Sequence, residues 1–175
     1  MFYLISGGSG SGKSEFAENV SVELHEKEKK EQFLYIATMM AFDEEAQKKI
    51  QRHRTMRREK GFTTLECFTN LKSAPITSHC TILLDCLSNL VANEMFSEDG
   101  AKEQIVEEVL QGVEHLLEKC DNLVIVTNEI FSDGCQYDDV TRQYIWNLGK
   151  LNQSLAKKAD KVVEVVCGIP IYQKE

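Results

Sequence analysis

The stretch Gly7-Gly8-Ser9-Gly10-Ser11-Gly12-Lys13-Ser14 constrains this chain more than any other, because such a segment works only where a strand hands over to a helix. It fits the pattern G-x-x-x-x-G-K-[ST]. Before it, Phe2 to Ile5 is an apolar run that predicts a strand; after it, Phe16, Ala17, Val20 and Leu24 recur at helical spacing. In that setting the glycines let successive backbone N–H groups turn inward onto phosphate oxygens, and the helix N-terminus adds the positive end of its dipole. Gly7, Gly8, Ser9, Gly10, Ser11, Gly12, Lys13 and Ser14 are therefore the expected contacts of a nucleoside triphosphate, ATP or GTP. Lys13 would reach the β- and γ-phosphates as a catalytic residue, and the Ser14 hydroxyl would ligate Mg²⁺.

The rest of the chain repeats the alternation. Apolar runs at Phe33 to Ala37, Thr81 to Leu84, Leu123 to Thr127 and Val162 to Cys167 read as strands covered on both faces. Between them, Leu87, Leu90, Val91 and Met95, then Ile105 through Cys120, then Val140 through Leu155 carry helical periodicity. Such alternation predicts an α/β P-loop NTPase fold: a mostly parallel sheet, helices on both faces, ligands beyond the carboxyl ends of the strands. At 175 residues one domain is expected, residues 1–175, with a polar excursion at about 42–62.

A net charge of −8 argues against a general nucleic-acid binder, so any basic site must be local. The cysteines, Cys67, Cys80, Cys86, Cys120, Cys135 and Cys167, show no Cys-x-x-Cys pair or metal-ligand spacing with histidine and read as reduced, partly buried thiols. Met1 to Ser6 runs straight into the glycine loop, which does not suit a signal peptide, and no apolar stretch reaches membrane-spanning length. The cytoplasm is the expected compartment.

Two acids follow predicted strands and qualify as Mg²⁺ carboxylates: Asp85 and, as second choice, Glu129. Either also suits a solvated acid at the start of the next helix. From Lys48 to Arg58 there are six cations and no acid, with His53 among them. If the segment is helical, Lys49, His53 and Arg57 share one face, and cationic neighbours favour the neutral imidazole. A neutral imidazole could attack an α-phosphate while Arg54 and Arg57 neutralise its oxygens. Residue types alone favour a solvated helix face with an incidental histidine over this chemistry, since charge runs usually just solvate.

Several pieces together resemble the adenosylcobinamide kinase / adenosylcobinamide-phosphate guanylyltransferase family, bifunctional enzymes of cobalamin biosynthesis. They are the loop at Gly7 to Ser14, Tyr35-Ile36-Ala37-Thr38, Ile50-Gln51-Arg52-His53-Arg54 leading to Thr64-Leu65-Glu66-Cys67, Leu83-Leu84-Asp85-Cys86-Leu87, Val126-Thr127-Asn128-Glu129, and the run from Gly149 to Gly168. The resemblance implies two steps. One phosphorylates the aminopropanol hydroxyl of adenosylcobinamide; the other transfers GMP from GTP through a guanylyl-histidine, for which His53 stands at the matching position. It also implies guanine-nucleotide contacts from Ile36, Ala37, Thr38, Arg54, Thr55, Met56, Arg57, Glu66 and Asp85, a corrinoid substrate and a homotrimer.

The chain departs from the family's usual His-Arg-x-x-Arg-Pro-x-x-Trp, reading His53-Arg54-Thr55-Met56-Arg57-Arg58-Glu59-Lys60-Gly61-Phe62, and from Gly-x-Gly-x-Val-Pro, reading Ile130 to Gln136. Corrinoid contacts, nucleotide lid and trimer interface are where these changes would act. The loop and acids alone would also serve a kinase of another small molecule, or a nucleotide-dependent switch that binds GTP or ATP without turning over an acceptor.

Overall fold

The computed structural model describes residues 1–28, 32–41, 44–57, 60–77, 79–132 and 134–175. Its centre is a seven-stranded sheet in the order β3-β2-β4-β5-β1-β6-β7. The strands are β1 (Phe2–Ser6), β2 (Gln32–Ala37), β3 (Thr63–Glu66), β4 (Cys80–Asp85), β5 (Asn122–Val126), β6 (Lys161–Val166) and β7 (Ile169–Lys174). All neighbours pair parallel except β6 and β7, which form an antiparallel hairpin. The helices are α1 (Lys13–Glu28), α2 (Glu44–Arg57), α3 (Leu87–Phe96), α4 (Ile105–Lys119) and α5 (Asp139–Lys158).

Side chains alternate across a strand, and the near-continuous apolar runs fill both faces for that reason. Ile82, Leu84, Leu123 and Ile125 enter one core with Leu87 and Leu90 of α3, Val109 and Leu116 of α4, and Leu148 and Leu151 of α5. Their strand neighbours Leu83, Val124 and Val126 enter the other, with Ala17 and Val20 of α1. Helices α3 to α5 thus cover one face and α1 packs on the other. Asp138 caps α5, its carboxylate accepting the Thr141 N–H at 2.7 Å, which holds the Asp138 carboxyl below its usual range. No helix among the described residues is long and apolar enough to cross a membrane.

Two strands lie outside the apolar pattern. β3 forms one edge and only Leu65 in it is even half-buried; β7 forms the other edge and is exposed throughout. The polar excursion is a crossover: α2 carries the chain from β2 to β3, which pair directly. Its far end is anchored by two contacts. Lys60 Nζ meets the fully buried Glu18 carboxylate of α1 at 2.8 Å, and Phe62 stacks on Phe33 of β2 at 3.8 Å, with His25 of α1 stacked on the opposite side at 4.4 Å. Cys67, Cys80 and Cys86 are buried, Cys120 half-buried and Cys135 and Cys167 exposed, all as free thiols. Burial pushes the Cys80 and Cys120 thiols up to about 11 and about 12.

Lys60→Met should strand a buried carboxylate and lower stability by about 3 kcal/mol, read as an earlier urea midpoint at unchanged slope. Gly112→Ala, ordinarily favourable within a helix, should also destabilise, by about 1–2 kcal/mol in the same assay. A Cβ on Gly112 of α4 would fall 2.7 Å from the Cβ of the buried Leu71, an atom fixed to the backbone.

Candidate active site

The carboxyl ends of β3, β2, β4 and β5 bring Glu66, Ala37, Asp85 and Asn128 in that order toward the loop that leaves β1. That loop is held by main-chain bonds from its neighbours. Glu129 N donates to Gly7 O at 3.0 Å, from beyond β5, and Gly168 N donates to Ser11 O at 2.8 Å, from the β6–β7 turn. The packing leaves no room for side chains at the contact points. A Cβ on Gly7 would lie 2.6 Å from the Val165 carbonyl oxygen, and Gly12, at φ 91°, approaches Gly168 Cα to 3.3 Å from where its Cβ would stand. Lys13 is 9% exposed and its Nζ donates to Gly8 O at 3.0 Å, so the ammonium already folds back over the loop.

A cavity of about 550 Å³ opens above the loop, lined by residues from Ser9 to Glu15 on one side and by Ala37, Asp85 and Asn128 at the strand ends. It extends to Arg54 of α2 and Glu66 of β3, whose side chains pair at 2.8 Å, each about half exposed. Such an exposed pair adds little to stability. Arg54, Thr64 and Glu66 also wall a second hollow of about 690 Å³, with Thr55 and Phe62. Thr55 borders only this second hollow, and its hydroxyl donates to Gln51 O within α2.

Ile36 and Ala37 of β2 and Thr38 just beyond it, all expected at the nucleotide, separate here. Ala37 lines the cavity; Ile36 is fully buried in the core, and the fully buried Thr38 spends its hydroxyl on Cys86, accepting from Cys86 N and donating to Cys86 O, both at 2.8 Å. Alternation along β2 turns the Ile36 side chain away from the cavity, and the Thr38 hydroxyl is engaged at the end of β4. Between the two acids, Asp85 lines the cavity and accepts the Tyr35 hydroxyl at 2.9 Å. Glu129 instead turns back on its own connection, accepting Phe131 N at 2.9 Å and the Ser132 hydroxyl at 2.8 Å.

His53 stands in α2 one residue before Arg54. Its side chain, with those of Lys49, Arg52, Met56 and Arg57, lies outside the described part of the molecule, as does all of Arg58.

Sequence reasoning missed Tyr35, Asn89 and Lys60. Asn89 enters the cavity from the first turn of α3 and Lys60 holds Glu18. An isolated polar residue inside an apolar run, as Tyr35 is, was the one available signal.

The donors present suit Mg²⁺. Ser14 and Asp85 offer hard oxygens to one cavity, and among the described residues no cluster of three His, Cys, Asp or Glu could hold a metal alone. Mg²⁺ keeps several waters and is bound through one or two protein oxygens plus substrate phosphates, so it would enter with the nucleotide.

Comparison with solved structures finds the same arrangement elsewhere. A KaiC-like protein of Pyrococcus horikoshii superposes with a TM-score of 0.52 at 13% identity, covering 93% of this chain and 69% of the other, which shows that the two share a fold. The bifunctional adenosylcobalamin biosynthesis protein CobU of Salmonella typhimurium is 31% identical, covering 99% of this chain and all of that protein. Its counterpart CobP of Pseudomonas aeruginosa is also 31% identical, covering 98% of this chain and 96% of its own. A family model for cobinamide kinase / cobinamide phosphate guanyltransferase matches residues 3–172, and with the loop, the Asp85 strand end and the Arg54–Glu66 wall in one cavity, the chain belongs to that family.

Proposed function

We propose that this protein phosphorylates adenosylcobinamide and then transfers GMP from GTP onto the product, giving adenosylcobinamide-GDP. The observation that carries the reading is the single cavity joining the phosphate loop and Asp85 to Arg54 and Glu66, next in the chain to His53.

In the first step the loop N–H groups and Lys13 hold the β- and γ-phosphates of ATP or GTP in line with the acceptor hydroxyl. The hydroxyl oxygen bonds to the γ-phosphorus as the bond to the β-phosphate oxygen breaks, and its proton is released. Lys13 neutralises charge that grows on the leaving oxygens, an interaction worth most where water is excluded. Ser14 and Asp85 would hold the Mg²⁺, which when bound offsets further charge on the same phosphates.

In the second step a neutral His53 nitrogen attacks the α-phosphorus of GTP and displaces pyrophosphate, forming a guanylyl-histidine. Arg54 and Arg57 supply fixed positive charge for the α-phosphoryl oxygens, and Glu66 offers a carboxylate acceptor for guanine N–H groups. The terminal phosphate of the first product then attacks the same phosphorus, the P–N bond breaks, and His53 is regenerated.

Lys13→Ala should reduce phosphorylation of adenosylcobinamide by about 10²–10³-fold, measured as steady-state kcat. Incubation with α-labelled GTP and Mg²⁺ should put acid-labile, base-stable label on the wild type and none on His53→Ala, while the variant continues to phosphorylate adenosylcobinamide. Absence of label from both would remove the guanylyl-transfer half of the reading and leave a kinase.

A further inference from the structure

We propose that Tyr35 is a positioning residue for Asp85, and through it for the divalent cation that accompanies the nucleoside triphosphate; the inference rests on the function proposed above. Tyr35 sits inside the apolar strand β2, 4% exposed, on the sheet face that packs against α1. A phenylalanine would fill the same space, so the hydroxyl calls for its own explanation.

Its partner supplies one. In the parallel pairing of β2 with β4, Tyr35 lies opposite Leu83 and Ala37 opposite Asp85. Asp85 is thus the diagonal neighbour of Tyr35, two residues further along β4, within reach of a long side chain. The phenol donates to Asp85 Oδ2 at 2.9 Å. A carboxylate at a strand end with both oxygens free turns about its last torsion. With Oδ2 held, Oδ1 keeps one orientation in the cavity that Asp85 shares with Lys13 and Ser14.

The main chain beneath Asp85 is fixed separately. Thr38 brackets the N–H and carbonyl of Cys86, and Thr38 O accepts from Asn93 Nδ2 at 2.8 Å, the same amide donating to Phe68 O at 2.9 Å. Thr38 and Asn93 are both buried. Phe62, beyond α2, meets the Tyr35 ring edge-on at 5.9 Å and limits its swing. Of these contacts only the Tyr35 hydroxyl touches the carboxylate itself. Partners of this kind, one step behind a metal ligand, typically change metal affinity by about 10–100-fold when lost.

The test is Mn²⁺ binding, followed by the electron paramagnetic resonance signal of free Mn²⁺, to the full chain with a non-hydrolysable GTP analogue. Wild type, Tyr35→Phe, Asp85→Asn and the double variant are compared. Tyr35→Phe should weaken Mn²⁺ binding about 10-fold while keeping a single cooperative thermal transition, and should add nothing in the Asp85→Asn background. Wild-type affinity in Tyr35→Phe would overturn the inference, and so would an equal loss with and without Asp85, since the hydroxyl would then act on packing alone. A wild type that binds no Mn²⁺ with the analogue would instead overturn the functional reading beneath it.

Discussion

A backbone segment that turns its N–H groups inward must turn carbonyls outward, and those carbonyls need donors. In this protein they find them at fixed places. Gly7 O takes the N–H of Glu129, Gly8 O takes Ser11 N at 3.2 Å and Lys13 Nζ, and Ser11 O takes the N–H of Gly168. Two of these donors come from outside the loop, beyond β5 and from the β6–β7 turn. The loop therefore keeps its shape only while β1 lies between β5 and β6. That order in turn depends on strands apolar enough to be buried on both faces, which is what the runs in β1, β4 and β5 supply.

The same economy governs the buried polar side chains. Glu94, 3% exposed, accepts Asn70 N at 2.7 Å and Ala101 N at 2.8 Å, tying the connections on either side of α3 to its last turns. Ser88, 2% exposed, takes the Asn128 amide at 2.7 Å through its hydroxyl and the Tyr144 hydroxyl at 3.2 Å through its carbonyl. Burial pushes the Tyr144 phenol up to about 12. Glu18 binds Lys60, so the crossover that bears His53 is fastened to the helix that begins at the phosphate loop. An apolar core holds the layers together without choosing their details. Buried polar groups do choose, because each one left unpaired would be costly.

Much of this was legible before any coordinates. The strand, loop and helix around Gly7 to Ser14 and the parallel sheet agree with the reading from residues, whereas the residues offered both Asp85 and Glu129 at strand ends and only the fold shows that Asp85 lines the cavity. β3 and β7 were illegible because edge strands need not be apolar: β3 shows only Leu65 a partly buried surface, and Ile169 and Ile171 of β7 are exposed. Ile36 and Thr38 were expected at the nucleotide with Ala37, and the pleat separates them, since adjacent residues of one strand point to opposite faces. Arg54 and Glu66 could both be placed at the site by likeness to a family, whereas their pairing across 12 residues became visible only when α2 folded back over β3.

The sequence by itself determined the phosphate loop, the alternation of elements and the class of the sheet. These rest on contacts between near neighbours in the chain and on apolar patterns that repeat every two or about 3.6 residues. Only the tertiary structure decided that the Tyr35 hydroxyl meets Asp85 across 50 residues and that Lys60 meets Glu18 across 42. Such pairs are made by strand order, register and the return path of a crossover, and a one-residue shift in register would turn every side chain concerned to the other face.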